Sequence, residues 1–322
     1  MPLSEREIIE RIRRAAKKRG PGSLSRVVAG IGDDCSIVRS KHGEDVLVTT
    51  DFSLEGMHFR REWHPPESVG HRCLVRGLSD ISAMGGEPVA AFLSLALPAK
   101  LEQKWVDGFL RGFLTLARKF NVSLAGGDTA ESPAGVLADV MVLGSVPSGK
   151  AILRSGARPG DQIYVTGSLG DSASVLKALF ANPKRKFRLE RSNAQLWRHF
   201  FPEPRTTLGR FLREKKLASA MIDVSDGLST DLGHICDESR CGAEVEAAAV
   251  PHQRSVDLKL ALNGGDDYEL LFTSASTSVP ESIGGIKVTR IGEVTRRRKV
   301  SIIENGRITE LKPGGWQHFG SR

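Results

Sequence analysis

The chain has 322 residues, of which 40% are hydrophobic and 26% charged; this balance fits about two globular domains and excludes a disordered or fibrous protein. A net charge of +8, from 46 Lys and Arg against 38 Asp and Glu, sets an anionic partner (nucleic acid or a phosphorylated small molecule) against a merely solvated basic surface. The longest apolar stretch, Pro88 to Ala99, is too short for a membrane span, the N-terminus lacks the apolar run of a secretory signal, and Cys35, Cys73, Cys236 and Cys241 form no C-x-x-C pair, so a zinc site and a disulfide scaffold are not expected and a cytoplasmic location is.

In chain order, Ser4-Glu5-Arg6-Glu7 is a capping box opening a helix that stops at Gly20. Val46 to Thr50 reads as a short strand ending on Asp51. Ser68 to Ala83 carries Val69, Cys73, Leu74, Leu78 and Ile81 at helical spacing. A strand over Val89 to Leu97 follows, then a helix over Leu101 to Phe120 with Trp105, Phe109, Phe113 and Leu116 on its apolar stripe. Ser123 to Ala125 reads as a strand running into Gly126-Gly127-Asp128, and Val136 to Val146 as another. The turn cluster Pro147-Ser148-Gly149 marks a domain boundary, dividing 1–147 from 148–322. Beyond it, strands are expected at Gln162 to Thr166, Met221-Ile222 and Tyr268 to Thr273, with a helix over Leu228 to Glu238. This alternation makes the fold α/β or α+β.

The basic residues cluster in runs at Lys17-Lys18-Arg19, Lys184-Arg185-Lys186 and Arg296-Arg297-Arg298-Lys299. Aromatic residues are only 6% and hardly interleave with these runs, which reads as a solvated face and argues against a nucleic-acid partner.

One pattern recurs: an apolar strand, then aspartate beside Gly, Ser or Thr. It appears at Gly30-Ile31-Gly32-Asp33-Asp34, Thr49-Thr50-Asp51, Leu78-Ser79-Asp80, Gly126-Gly127-Asp128-Thr129, Asp223-Val224-Ser225-Asp226-Gly227 and Gly264-Gly265-Asp266-Asp267. Any one of these could be an Asx turn or a helix cap. Repetition favours a shared site, because carboxylates gathered at strand ends repel and divalent cations relieve that repulsion. The neighbouring glycines let backbone N–H groups approach phosphate oxygens. Established phosphate motifs fail. Gly144 to Ala151 nearly matches G-x-x-x-x-G-K-[ST] but ends in alanine, and Gly30 to Cys35 lacks the last glycine of G-x-G-x-x-G.

Together with Glu55-Gly56-Met57-His58-Phe59, Ser79-Asp80-Ile81-Ser82-Ala83-Met84-Gly85 and Arg154-Ser155-Gly156-Ala157-Arg158-Pro159-Gly160-Asp161, these motifs resemble the thiamine-monophosphate kinase family, in its order and nearly to the chain's end. That family belongs to the PurM-like (aminoimidazole-ribonucleotide synthetase) superfamily. The resemblance implies a two-domain α+β PurM-like fold, whose N-terminal domain forms the dimer and the nucleotide site and whose C-terminal domain is a helix-covered sheet. It implies ATP-dependent phosphorylation of thiamine monophosphate to thiamine diphosphate, assisted by several Mg²⁺ ions, in a cytoplasmic homodimer. Residue by residue, it implies Asp34, Thr49, Thr50, Asp51, Asp80, Asp128, Asp223 and Asp226 as metal ligands. Gly127, Asp128, Arg154 and Ser225 match nucleotide-contacting positions, and His58, Asp266 and Trp316 match positions contacting thiamine phosphate. Asp266 departs from the family's usual glutamate and is one methylene shorter. No covalent nucleophile is expected, because phosphoryl transfer needs positioning and charge neutralisation. The alternatives are another PurM-like ATP-dependent synthetase, or a degenerate phosphate- or nucleic-acid-binding protein.

Overall fold

The computed structural model describes residues 27–29, 33–40, 43–184, 187, 189–276 and 278–317. The helix expected over 4–20, the basic run 17–19, Gly30 to Gly32 and Arg185-Lys186 lie outside the described residues.

The first sheet contains β1 (Val27–Ala29), β2 (Ser36–Arg39), β3 (Glu44–Leu54), β4 (Glu87–Leu97), β5 (Ser123–Glu131) and β6 (Leu137–Pro147) in the order β1-β2-β3-β6-β4-β5. Only the β4–β5 pair is parallel. Side chains alternate along β3 and β6, so Asp45, Leu47, Thr49 and Ser53 are buried on one face with Ala138, Val140, Val142 and Val146. Helices α1 (Pro66–Ala83) and α2 (Gln103–Lys119) supply the rest of this core through Leu74, Leu78, Phe109 and Phe113. The other face remains open and carries Phe52 and Val89, while every residue of β5 is exposed.

Helix α1 begins with Pro66 in its first turn, where a missing N–H costs nothing. It crosses α2 at glycines: a Cβ on Gly70 would lie 1.9 Å from the Phe109 carbonyl oxygen, and one on Gly112 would lie 1.9 Å from that of Glu67. The two backbones therefore touch, and α1 is buried nearly all round.

On its far side α1 meets the second sheet. That sheet comprises β7 (Gln162–Thr166), β8 (Ala220–Val224), β9 (Gly242–Glu246), β10 (Glu269–Ser274), β11 (Ser282–Ile283), β12 (Ile286–Thr295), β13 (Val300–Glu304) and β14 (Arg307–Glu310). Its order is β14-β13-β9-β12-β7-β10-β8, with β11 on β12. Between β7 and β8 come α3 (Asp171–Ala181), α4 (Ala194–Phe200) and α5 (Thr206–Glu214); α6 (Leu228–Ser239) and α7 (Leu258–Asn263) follow β8 and β9. Leu228, Leu232 and Ile235 of α6 cover one face, over Ile222, Val224 and Leu271. Leu208 and Leu212 of α5, with Ala83 of α1, cover the other over Tyr164 and Phe272. The protein is thus a two-sheet α+β structure with α1 wedged between the sheets.

Two expectations change. The strand expected to end on Asp51 runs on to Leu54, and Gly126 to Thr129 lie inside β5 rather than in a loop after it, because ladder pairing with β6 and β4 continues through both motifs. Asp80 lies within the helix expected over Ser68 to Ala83, so the pattern of a strand followed by aspartate does not hold there. The Gly144 to Ala151 near-match, which fails as a phosphate motif, forms the end of β6 and a turn in which Gly149 N–H donates to Asp45.

Candidate active site

Because α1 touches both sheets, it brings Asp80 to Asp34, ahead of β2, and to Asp223, in β8. Their carboxylate oxygens lie within 4.8 Å of one another. Thr49 donates its hydroxyl to Asp80, and Ser79 donates to Asp223 at 2.6 Å. Arg154 grips Asp34 with two N–H groups at 2.9 and 3.1 Å, while its backbone N–H reaches Asp33. Burial, followed by the charges of Asp51, Asp223 and Asp34, pushes the Asp80 carboxyl well above its ordinary pKa. Burial and Asp34 raise Asp223 to about 8 and Asp33 to about 7. One oxygen of Asp51 is buried with no partner among the described residues. Oxygen donors that repel one another and leave an acceptor unmatched fit hard divalent cations such as Mg²⁺.

Asp51, Asp80, Asp223, Ser225 and Asp226 line a cavity of about 790 Å³. The same cavity has aromatic and basic walls, with Trp63, His64, Phe180 and Trp316, and His58, Arg72, Arg76 and Asp266 line it as well. His58 accepts the Leu54 N–H at Nδ1, 2.9 Å away, which leaves its proton on Nε2. Asp266 takes hydrogen bonds from Arg72 at 2.7 Å and the Tyr268 hydroxyl at 2.6 Å. Burial alone would raise its pKa, but Arg72 and Arg76 outweigh burial and hold it well below the carboxylate range. Trp316 is 43% exposed, so it does not plug the core. Its backbone N–H donates to the Asp226 carbonyl at 3.0 Å, hanging the segment 314–316 on the start of α6.

The remaining expected residues lie elsewhere. Thr50 is exposed, on the opposite face of β3 from Thr49. Gly127 and Asp128 lie on the exposed edge strand β5, and Asp128 accepts the Thr129 N–H at 2.8 Å. Neither they nor Arg154 line the cavity. Cys35, beside Asp34, is buried, and burial with the surrounding aspartates pushes its thiol well up, which leaves it inert.

Sequence reasoning missed Arg60, Trp63 and Phe180, where the Arg60 guanidinium lies 4.7 Å from the Trp63 ring centre and 5.5 Å from that of Phe180. The run Arg60-Arg61-Glu62-Trp63 directly after Phe59 was the available signal. Asp231 was missed too. It accepts the N–H groups of Asp226 and Gly227 at 3.2 and 2.9 Å, and its carboxylate groups with Asp226 and His234 within 4.8 Å. Burial also keeps His64 and His199 neutral, lowering His64 to about 3.

The chain matches the AIR synthase related protein family, its N-terminal domain over residues 32–146 and its C-terminal domain over 158–305. It is 36% identical over 314 residues to thiamine-monophosphate kinase of Salmonella typhimurium, covering 92% of this chain and 93% of the relative. A solved structure described as AaThiL complexed with AMPPCP and TMP superposes with a TM-score of 0.85 at 29% identity, over 99% of both chains. The crystal structure of thiamine-monophosphate kinase from Stenotrophomonas maltophilia superposes with a TM-score of 0.75 at 34% identity, over 95% of this chain and 98% of that one. The chain belongs to the thiamine-monophosphate kinase family.

Proposed function

We propose that the protein transfers the γ-phosphoryl group of ATP directly to the phosphate of thiamine monophosphate, giving thiamine diphosphate and ADP. The carrying observation is a single cavity lined both by carboxylates that suit metal-bound phosphates and by the rings of Trp63, Phe180 and Trp316, which suit a cationic heterocycle. The relative bound to AMPPCP and TMP supports the same pair of ligands. Mg²⁺, held by Asp34, Asp51, Asp80, Asp223 and Asp226, would neutralise the phosphate charge. Arg154 positions Asp34, and with Ser225, Gly127 and Asp128 it forms the nucleotide side. His58 offers Nε2–H to the acceptor. The acceptor oxygen is already anionic, so no strong base or covalent nucleophile is required.

The division into domains 1–147 and 148–322, a cytoplasmic location and a homodimer belong to the same proposal. The open face and fully exposed β5 of the first sheet suit a second copy. No helix among the described residues is long and apolar enough to cross a membrane.

With ATP and Mg²⁺, adding thiamine monophosphate should trigger ADP release and thiamine diphosphate formation; ADP release that ignores the acceptor refutes the proposal. Trp316→Ala should raise KM for thiamine monophosphate roughly 5- to 30-fold, from about 1–2 kcal/mol of lost cation–π or stacking contact, while KM for ATP barely moves. Equal losses toward both substrates with a lowered melting temperature would assign Trp316 a structural role instead.

A further inference from the structure

Arg72, Arg76 and Asp80 follow one another at intervals of four along α1 and all line the cavity. That spacing stacks them on one helix face, about 6 Å of axial rise apart. At one end of this strip, Asp80 belongs to the carboxylate cluster. At the other, Arg72 is fully engaged, donating to the His199 carbonyl at 2.6 Å and to Asp266 at 2.7 Å.

Arg76 between them is different. Its side chain is 15% exposed, its contact with Asp266 is long at 3.4 Å, and its Nε is buried with no partner among the described residues. Tyr268 already donates to the Asp266 oxygen nearest Arg76. Two guanidiniums thus share the Asp266 carboxylate, and Arg76, whose charge also acts on Asp51, stands one turn from Asp80. His64 and His199, beside Arg72, stay neutral and add none.

We infer that Arg76 binds the phosphate of the acceptor, holding it one helical turn from the carboxylate cluster, and so makes the site select phosphorylated over unphosphorylated thiamine. A guanidinium presents planar, paired donors that match phosphate oxygens, and here Arg76 lines the cavity one helical turn from Asp80. An acceptor anion approaching a second phosphate needs positive countercharge besides the metal, and Arg76, next to the carboxylate cluster, supplies it.

This inference rests on the proposed reaction, so the wild-type protein is measured first. If it does not turn over thiamine monophosphate with ATP, the proposed reaction itself falls. If it does, titrations of thiamine monophosphate and of thiamine, with Mg²⁺ and a non-hydrolysable ATP analogue present, test Arg76 alone. Arg76→Ala should weaken thiamine monophosphate binding roughly 10- to 100-fold, the range for losing hydrogen bonds to a charged group, while thiamine and the ATP analogue bind as before. Arg76→Gln, which keeps bulk but loses the charge, should do the same and serves if the alanine variant does not fold. An unchanged preference for the phosphorylated ligand in either variant overturns the inference. So does a parallel loss of all three ligands with a lowered melting temperature, which would make Arg76 structural.

Discussion

Asp80→Asn is expected to reduce kcat roughly 10²- to 10³-fold, the usual cost of removing one element that stabilises transition-state charge, and yet to raise the melting temperature of the metal-free protein. Both effects have one origin. Asp80 is half-buried against Asp34 and Asp223, and Asp51 adds to the repulsion. Removing its charge relaxes the fold but takes away a ligand and a counterion for cations. The same repulsion fixes a pH dependence. Asp223 and Asp33 have pKa values raised to about 8 and about 7, against about 4 in the unfolded chain. Between about pH 4 and 8 these two carboxyls bind more protons folded than unfolded, so their share of stability falls as pH rises; the buried His64, His71 and His199 act in the opposite sense, but only below about pH 6.5. Thermal melts in chelator should therefore decline from about pH 6.5 to 8, Mg²⁺ should restore stability most at the upper end, and Asp80→Asn should flatten the decline. A wild-type turnover rate in the variant, or chelated melts that climb with pH above about 6.5, would refute the cluster as a metal site.

The chemistry of this cluster was more legible in the sequence than its assembly. Asp34, Asp51, Asp80 and Asp223 each sit in a recognisable acidic motif, but the spacing along the chain suggested strand-end loops. The convergence instead depends on α1, which carries Asp80 between the two sheets. Periodicity exposed the face of α1 bearing Val69, Cys73, Leu74, Leu78 and Ile81. It could not show that the opposite face is buried too, because the second sheet that covers it begins only at Gln162, far along the chain from Ala83. Arg72 and Arg76 consequently carried no signal in the sequence; their partner Asp266 lies 194 and 190 residues away. Thr49 and Thr50 show a limit of another kind. Adjacent residues in one motif look equivalent in sequence, and a strand sends them to opposite faces. Helices α4 and α5 also went unassigned, since segments of 7 and 9 residues carry little periodic signal.

Arg205→Ala is expected to destabilise the protein by about 3–5 kcal/mol, the range for removing one partner of a buried ion pair. Its partner, Glu269, is 2% exposed and accepts two N–H bonds from Arg205, one at 2.7 Å, and the Thr166 hydroxyl at 2.5 Å. Gly167 makes room for this carboxylate: with φ at +64°, a Cβ there would lie 2.0 Å from Glu269 Oε1. Without Arg205 the charge would stay buried with one neutral donor. Although Arg205 is also the N-cap residue of α5, its side chain makes no cap hydrogen bond, so the loss belongs to the ion pair. The consequence reaches the cavity because Glu269 opens β10 directly after Tyr268, and Tyr268 and Asp266 both hold positive φ, at 52° and 64°. Non-glycine residues keep that conformation only where their surroundings enforce it. Loosening Glu269 should therefore weaken the bond between Tyr268 and Asp266 and raise KM for thiamine monophosphate more than KM for ATP. Replacing both partners, as Arg205→Met with Glu269→Leu, removes the buried charge and should recover most of the stability. Denaturant midpoints for the single and double variants decide the matter: a single variant within about 1 kcal/mol of wild type, or a double variant no better than the single, would show that the pair does not anchor this strand.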